Sequence, residues 1–380
     1  MKKWFVLGVI GLALFEIANV WFIMPLPFSQ RVRSVDVAYA LYRWRWALRA
    51  LCGALILVGL ASVLRAGAWS RVAACLAVVL AGGVVYATNF VMAADHLFRL
   101  PDHLRMVSAT QNVVERSRLV VGVVQHGEAR AYPVQYIGYH HQVQDTIGGE
   151  PVLVTFCTVC RTGRVFSPMV RGAPETFRLV GMDQFNAMLE DRRTKSWWRQ
   201  ATGTAVAGPL RGAVLREIPS QQVTLARWLE LYPASLVMQA DSALRTEYTQ
   251  GFDYETGRSR SALTGTDTAS WHDKSWVIGV TVRGASKAYD WNRLRRERVI
   301  NDVVGGTPVV VLLASDAASY FAYVRPDSAT RFTMRGDSLV SATGAFGLSG
   351  RGGAGALVPV QASQEYWHSW RTFQPSTLRD

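Results

Sequence analysis

The chain has 380 residues, room for two or three domains, and 49% of them are hydrophobic. Its 41 basic and 28 acidic residues give a formal charge of +13. Eleven Lys or Arg against four acids already lie before residue 111, and the remainder forms no basic stripe interleaved with aromatics, which argues against a nucleic-acid partner. Of the four cysteines, Cys52 and Cys75 sit inside apolar stretches, so a closed four-cysteine zinc site is excluded.

The apolar residues concentrate in three runs, 4–24, 50–64 and 72–91. Each approaches the length that crosses a hydrocarbon core at 1.5 Å per residue, the middle one once 46–48 join it. No small-residue cleavage site closes the first run; Met24-Pro-Leu-Pro-Phe28 follows instead. The expectation is an anchor of three transmembrane helices over 1–98, helical because unpaired backbone is intolerable in lipid. Glu16 and Asn19 lie one turn apart in the first run; an ionisable group there either pairs with an arginine such as Arg49 and fixes helix packing, the favoured reading, or serves transport.

Beyond the anchor the pattern is short and β-rich. Strands are predicted over 119–124, 152–156, 164–170 and 176–180, separated by Gly, Pro and Asp turn signals, with a helix over 222–231. The region also repeats itself. Val121-Gly-Val-Val-Gln-His-Gly-Glu-Ala-Arg-Ala-Tyr132 matches Ile278-Gly-Val-Thr-Val-Arg-Gly-Ala-Ser-Lys-Ala-Tyr289, and 144–154 matches 301–311 at the same offset. Two copies suggest a pair of related domains, not a solenoid. The expected fold is therefore an α-helical transmembrane anchor followed by a mainly β, α+β region built from two homologous repeats. The first repeat covers 115–238, a polar linker covers 239–275, and a second, degenerate repeat covers 276–380. Asp145 recurs as Asp302, which marks it as fold-making, whereas Cys157 and Cys160 correspond to Ala314 and Ala317.

Cys157-Thr-Val-Cys160 closes the apolar run 151–156. Two soft ligands at this spacing can chelate one metal ion, exchange thiols, or stay as a structural disulfide or buried thiols. The metal reading takes Cys157 and Cys160 with His140 and His141 as ligands to zinc or copper, and Asp145 behind them. Asn186, Asp191, Trp197, Trp198 and Gln200 form an aromatic, hydrogen-bonding set that could line a pocket beside the cysteines. The redox reading is weaker, because the residues after Cys160 read as a hairpin return, not a helix start. His103, His126, His272 and His368 read as isolated.

Four runs together carry a resemblance: His140-His-Gln-Val-Gln-Asp145, Phe156-Cys-Thr-Val-Cys-Arg161, Asp191-Arg-Arg-Thr-Lys-Ser-Trp-Trp-Arg-Gln200 and Gly203-Thr-Ala-Val-Ala-Gly-Pro-Leu-Arg-Gly212. Over roughly 115–380 the chain resembles the bacterial and archaeal family called domain of unknown function 3179. Its pattern runs His-Glu-x-x-Asn-Asp, Tyr-Cys-Pro-Leu-Cys-Gly and onward through the same order. The family's Glu is His141 here, its Asn is Gln144, and the Gly after the second cysteine is Arg161, which departs from a zinc-knuckle turn. The resemblance implies a fold and a site but no reaction. The implied setting is a multi-pass protein of the bacterial cytoplasmic membrane, in contact with the lipid bilayer, with a metal ion or small molecule as ligand. Exported relatives imply an extracytoplasmic globular region, against the count of arginines flanking the helices.

Overall fold

A computed structural model describes residues 1–248, 252–353 and 355–380. Three N-terminal helices are long and apolar enough to cross a membrane: α1, Lys2–Trp21; α2, Val35–Leu64; and α3, Ala68–Tyr86, which continues as a π-helical turn over Ala87–Val91. The second begins well before the apolar run at 50–64, so Arg43, Arg45 and Arg49 lie within it. The rest of the chain is mainly β with short helices. Contacts divide the chain into two compact units.

The first unit comprises Met1–Arg99, Phe177–Arg199 and Thr204–Ala213. Glycines let α1 and α2 approach closely: a side chain on Gly59 would strike the backbone of Phe5, and one on Gly8 would meet the Cys52 carbonyl. Phe5, Val9, Val63 and Ala81 pack between the helices. Glu16 is fully buried and, as predicted, pairs with Arg49, whose guanidinium donates to both carboxylate oxygens at 2.6 and 3.0 Å. The π-helical turn brings Asn89 into the same cluster, donating to Glu16 at 2.9 Å. A four-stranded antiparallel sheet completes this unit, in the order Ala205–Ala207, Trp197–Arg199, Asn186–Asp191, Phe177–Asp183. It rests on the connection between α1 and α2. The Ile23 carbonyl accepts from Met182 N at 2.8 Å, and Tyr39 and Tyr42 close on the Trp197 ring.

The second unit comprises Leu100–Thr176, Gln200–Gly203 and Val214–Asp380. One order of elements occurs twice in it. The hairpin Leu119–Gln125/Glu128–Pro133, the helix Val134–His140 and the meander through Gln142–Ile147, Glu150–Cys157 and Thr162–Phe166 come first. The hairpin Trp276–Val282/Ala285–Asp290, the helix Trp291–Glu297 and the meander through Val299–Val304, Thr307–Leu313 and Tyr320–Val324 follow. Each hairpin gains an outer strand running into a seven-residue helix, Ser220–Thr224 into Leu225–Leu231 and Ala362–Tyr366 into Trp367–Phe373. The helix predicted over 222–231 thus starts later. Residues 220–224 pair with 119–123, and Thr224 ends the strand while its hydroxyl caps the helix at Arg227 N. Gly122 and Gly279 let the Trp228 and Trp370 rings lie directly on the strands. Gly148-Gly149 and Gly305-Gly306 take positive φ in the two-residue turns of the meanders.

Candidate functional site: a dithiol turn

Strand Glu150–Cys157 is buried along most of its length, and Cys157 pairs directly with Thr162 on the returning strand. The four residues between them, 158–161, form a turn closed by Arg161 at φ 57. That left-handed conformation is one Gly adopts at little cost and Arg does not. Cys157 and Cys160 are both fully buried and lie 3.6 Å apart with no disulfide between them.

Three successive carbonyls of the turn are held by donors distant in sequence. The Tyr254 hydroxyl donates to Thr158 O at 3.0 Å. Lys274 Nζ donates to Val159 O at 2.8 Å, and His368 Nε2 lies 3.2 Å from the same oxygen. Tyr366 N donates to Cys160 O at 2.9 Å. The Arg161 guanidinium stacks on Trp276, 3.7 Å from the ring centroid, and donates to Gln364 and to the carbonyls of Tyr254 and Glu255. Gln200 ties the strands below the turn, donating to Thr155 Oγ1 and Thr162 O, each at 2.9 Å.

The electrostatics follow from burial. Loss of water lowers the pKa of the Lys274 ammonium, while the nearby Cys160 and Cys157 push it back up. Burial, reinforced by Lys274, pushes His368 down to about 4, so its imidazole is neutral at pH 7. A cation therefore sits beside two buried thiols.

The other sequence-selected residues are placed as follows. His140 ends the helix Val134–His140, with Nε2 2.9 Å from the Tyr248 hydroxyl. His141 caps that helix at φ 60; its Nδ1 lies 3.0 Å from Tyr139 O, its carbonyl accepts from Phe156 N, and burial lowers its pKa to about 4. Asp145 accepts from Arg130 and from the Tyr132 hydroxyl at 2.6 Å, and Asp302 pairs with Lys287 in the matching place. Asn186, Asp191, Trp197 and Trp198 belong to the helix-bearing unit, and Gln200 to the unit with the cysteines. Asp191 is spent on its own turn, accepting from the backbone N of Thr194 and Ser196, the Thr194 hydroxyl and Trp198 Nε1. Among the described residues no group of three or more His, Cys, Asp or Glu is arranged to hold a metal ion.

Sequence reading passed over Lys274, Tyr254 and His368. The first two fall in the stretch 239–275, which reads as linker because it is polar and repeats nothing; the third has no ligand-like neighbour in sequence. Arg161 was visible, as the departure from Gly.

The fold is of the class in which helices long and apolar enough to span a membrane precede a mainly β region, here bearing a buried dithiol turn. The chain belongs to the family described as protein of unknown function DUF3179, whose model matches residues 101–377. No curated protein and no solved structure matches it.

Proposed function

We propose that this is a membrane-anchored thiol–disulfide protein in which Cys157 and Cys160 interconvert between dithiol and disulfide. The observation that carries the reading is the pair of sulfurs 3.6 Å apart on a turn whose central carbonyl is held by the Lys274 ammonium. In the reaction a thiolate of the pair attacks the disulfide of a partner, and the second thiol resolves the mixed disulfide. Two electrons and two protons pass to the partner, which leaves as a dithiol. The sulfurs are sealed, so the 158–161 turn has to lift for a partner disulfide to reach them.

The two stretches 115–238 and 276–380 are, on this reading, copies of one ancestral unit. Their support is the constant offset of 157, the doubled order of elements, and the paired contacts of Gly122 with Trp228 and Gly279 with Trp370. The second copy carries Ala314 and Ala317 in place of the cysteines and serves as scaffold. The domain faces away from the cytoplasm, where a disulfide persists. Arg45 and Arg49 do not oppose that orientation as loop charges would, because they bond Tyr42 O and Glu16 within the helices.

A second reading has one observation in its favour. Two thiolates on a tetrahedral zinc ion with bonds of about 2.3 Å lie roughly 3.8 Å apart, close to the separation seen here. Cys157 and Cys160 would then chelate a soft ion such as zinc or copper. Metal analysis and alkylation of the anaerobically purified full chain decide between the two. Thiols in dithiothreitol that join in oxidised glutathione, with no stoichiometric metal, carry the first reading. Stoichiometric metal lost in Cys157→Ser carries the second. Thiols that neither join nor hold metal contradict both.

A further inference from the structure

The second unit holds a cavity of about 190 Å³ that Arg161 helps to line. Ser117, Leu119 and Arg161 come to it from the first meander side, Phe252 and Glu255 from the intervening segment, and Trp276, Trp291 and Asp316–318 from the second. Trp276, Trp291 and Arg295 also line a smaller cavity of about 80 Å³, and Asn292 and Arg295 an open hollow that ends at Arg296. Trp276 and Trp291 are the aromatic walls of this trough.

Its charges are unequally satisfied. The Glu255 carboxylate accepts from Leu119 N at 2.7 Å and pairs with Arg118 at 2.5 Å. Asp316 accepts from the Thr224 and Ser319 hydroxyls and from the backbone N of Ala318 and Ser319. Arg161 is committed to Gln364 and two carbonyls. Arg295 and Arg296 are exposed and make no ion pair among the described residues. Glu255 is thus paired with a cation, Asp316 and, in the smaller cavity, Asp267 are held by hydrogen bonds, and Arg295 and Arg296 are the exposed cations at the open end. Arg161 and Ala317, one on each side, both hold positive φ without being glycine. Strain of that kind persists where surroundings impose it, and it concentrates at ligand sites.

We propose that this trough binds a small organic anion with a flat, apolar body, the ring lying against Trp276 and Trp291 and the anionic group meeting Arg295. Aromatic walls with one or two placed polar groups are the usual make-up of a small-molecule site, and the guanidinium matches a carboxylate in a two-point contact. The proposal stands apart from the thiol chemistry, since none of its contacts involves sulfur.

The test is calorimetric titration of the full chain in lipid nanodiscs, blanked with empty discs, using 2-naphthoate, its neutral amide and 2-naphthylmethylamine. The expected result is one naphthoate site, with the amide at least tenfold weaker and the amine not bound. Arg295→Gln, an exposed change that leaves the core intact, brings naphthoate down to the amide's affinity. Arg171→Gln, an exposed arginine outside the trough, leaves it unchanged. Absence of naphthoate binding, equal binding of acid and amide, or full affinity in Arg295→Gln would overturn the proposal.

Discussion

The Lys274 ammonium donates to the Val159 carbonyl, midway along the Cys157–Cys160 turn. Its charge stabilises thiolate at either sulfur and does nothing comparable for a disulfide. Removing it in Lys274→Met should therefore favour oxidation, and the midpoint potential of the pair should fall by about 30 mV, the equivalent of roughly 1.4 kcal/mol for a two-electron couple. Lys274→Arg, which retains the charge, should keep most of the original value. An unchanged potential in Lys274→Met would mean that the lysine only buttresses the turn. At this scale the cysteines were legible because an apolar run ends on them, and Asp145 was legible as a structural acid because it recurs. Lys274 and Tyr254 were not, since what matters in them is a contact made across more than ninety residues from a stretch with no periodic pattern.

At the scale of elements, the Trp228 ring lies against Gly122 and the Trp370 ring against Gly279, where any Cβ would overlap the indole. Both rings are essentially buried, and each indole N–H is used, by Ser235 and by Thr377. Gly122→Ala and Gly279→Ala should each destabilise the second unit by about 1–3 kcal/mol, the usual cost of overpacking, read as the shift in denaturation midpoint of the full chain. A neutral outcome at either site would show that the helix above the strand can shift to make room. The boundary of α2 was hidden from sequence for a related reason. Arg43, Arg45 and Arg49 interrupt the apolar run, yet the helix keeps them because Arg49 is neutralised by Glu16 and Arg45 folds back onto Tyr42 O and its ring. The last three residues of the outer strand, 222–224, were read as helix because Leu225, Trp228 and Leu229 already set a helical face. Only the Thr224 cap separates the two elements.

Two consequences belong to the whole molecule. His141 is buried and His368 half-buried; both rings are neutral at pH 7, each with its pKa lowered from 6.5 to about 4, first by desolvation. A histidine whose folded pKa lies below its unfolded value gives a folded state that binds fewer protons. Its contribution is complete above about pH 6.5 and is lost as pH falls toward 4, by at most about 3 kcal/mol for each group. Denaturation midpoints should therefore drop steadily between pH 7 and pH 4.5, with a shallower drop in His141→Gln; a flat profile over that range would be inconsistent with buried neutral rings.

The second consequence concerns orientation. Three crossings would place residues 22–34 and 92–99 on one side of a membrane, and the extracytoplasmic domain proposed above would put both outside. An alkaline phosphatase fusion at Leu100 should be active, and an inactive fusion would put the dithiol in a reducing compartment.

The most direct measurement of the central claim is an equilibrium redox titration of the full chain in graded dithiothreitol buffers, with the thiols trapped by alkylation and counted by mass. The account predicts that Cys157 and Cys160 oxidise together in a single reversible two-electron transition that vanishes in Cys157→Ser. Two thiols that remain reduced across the whole series, or a transition in which each cysteine titrates alone with a separate partner, would contradict it.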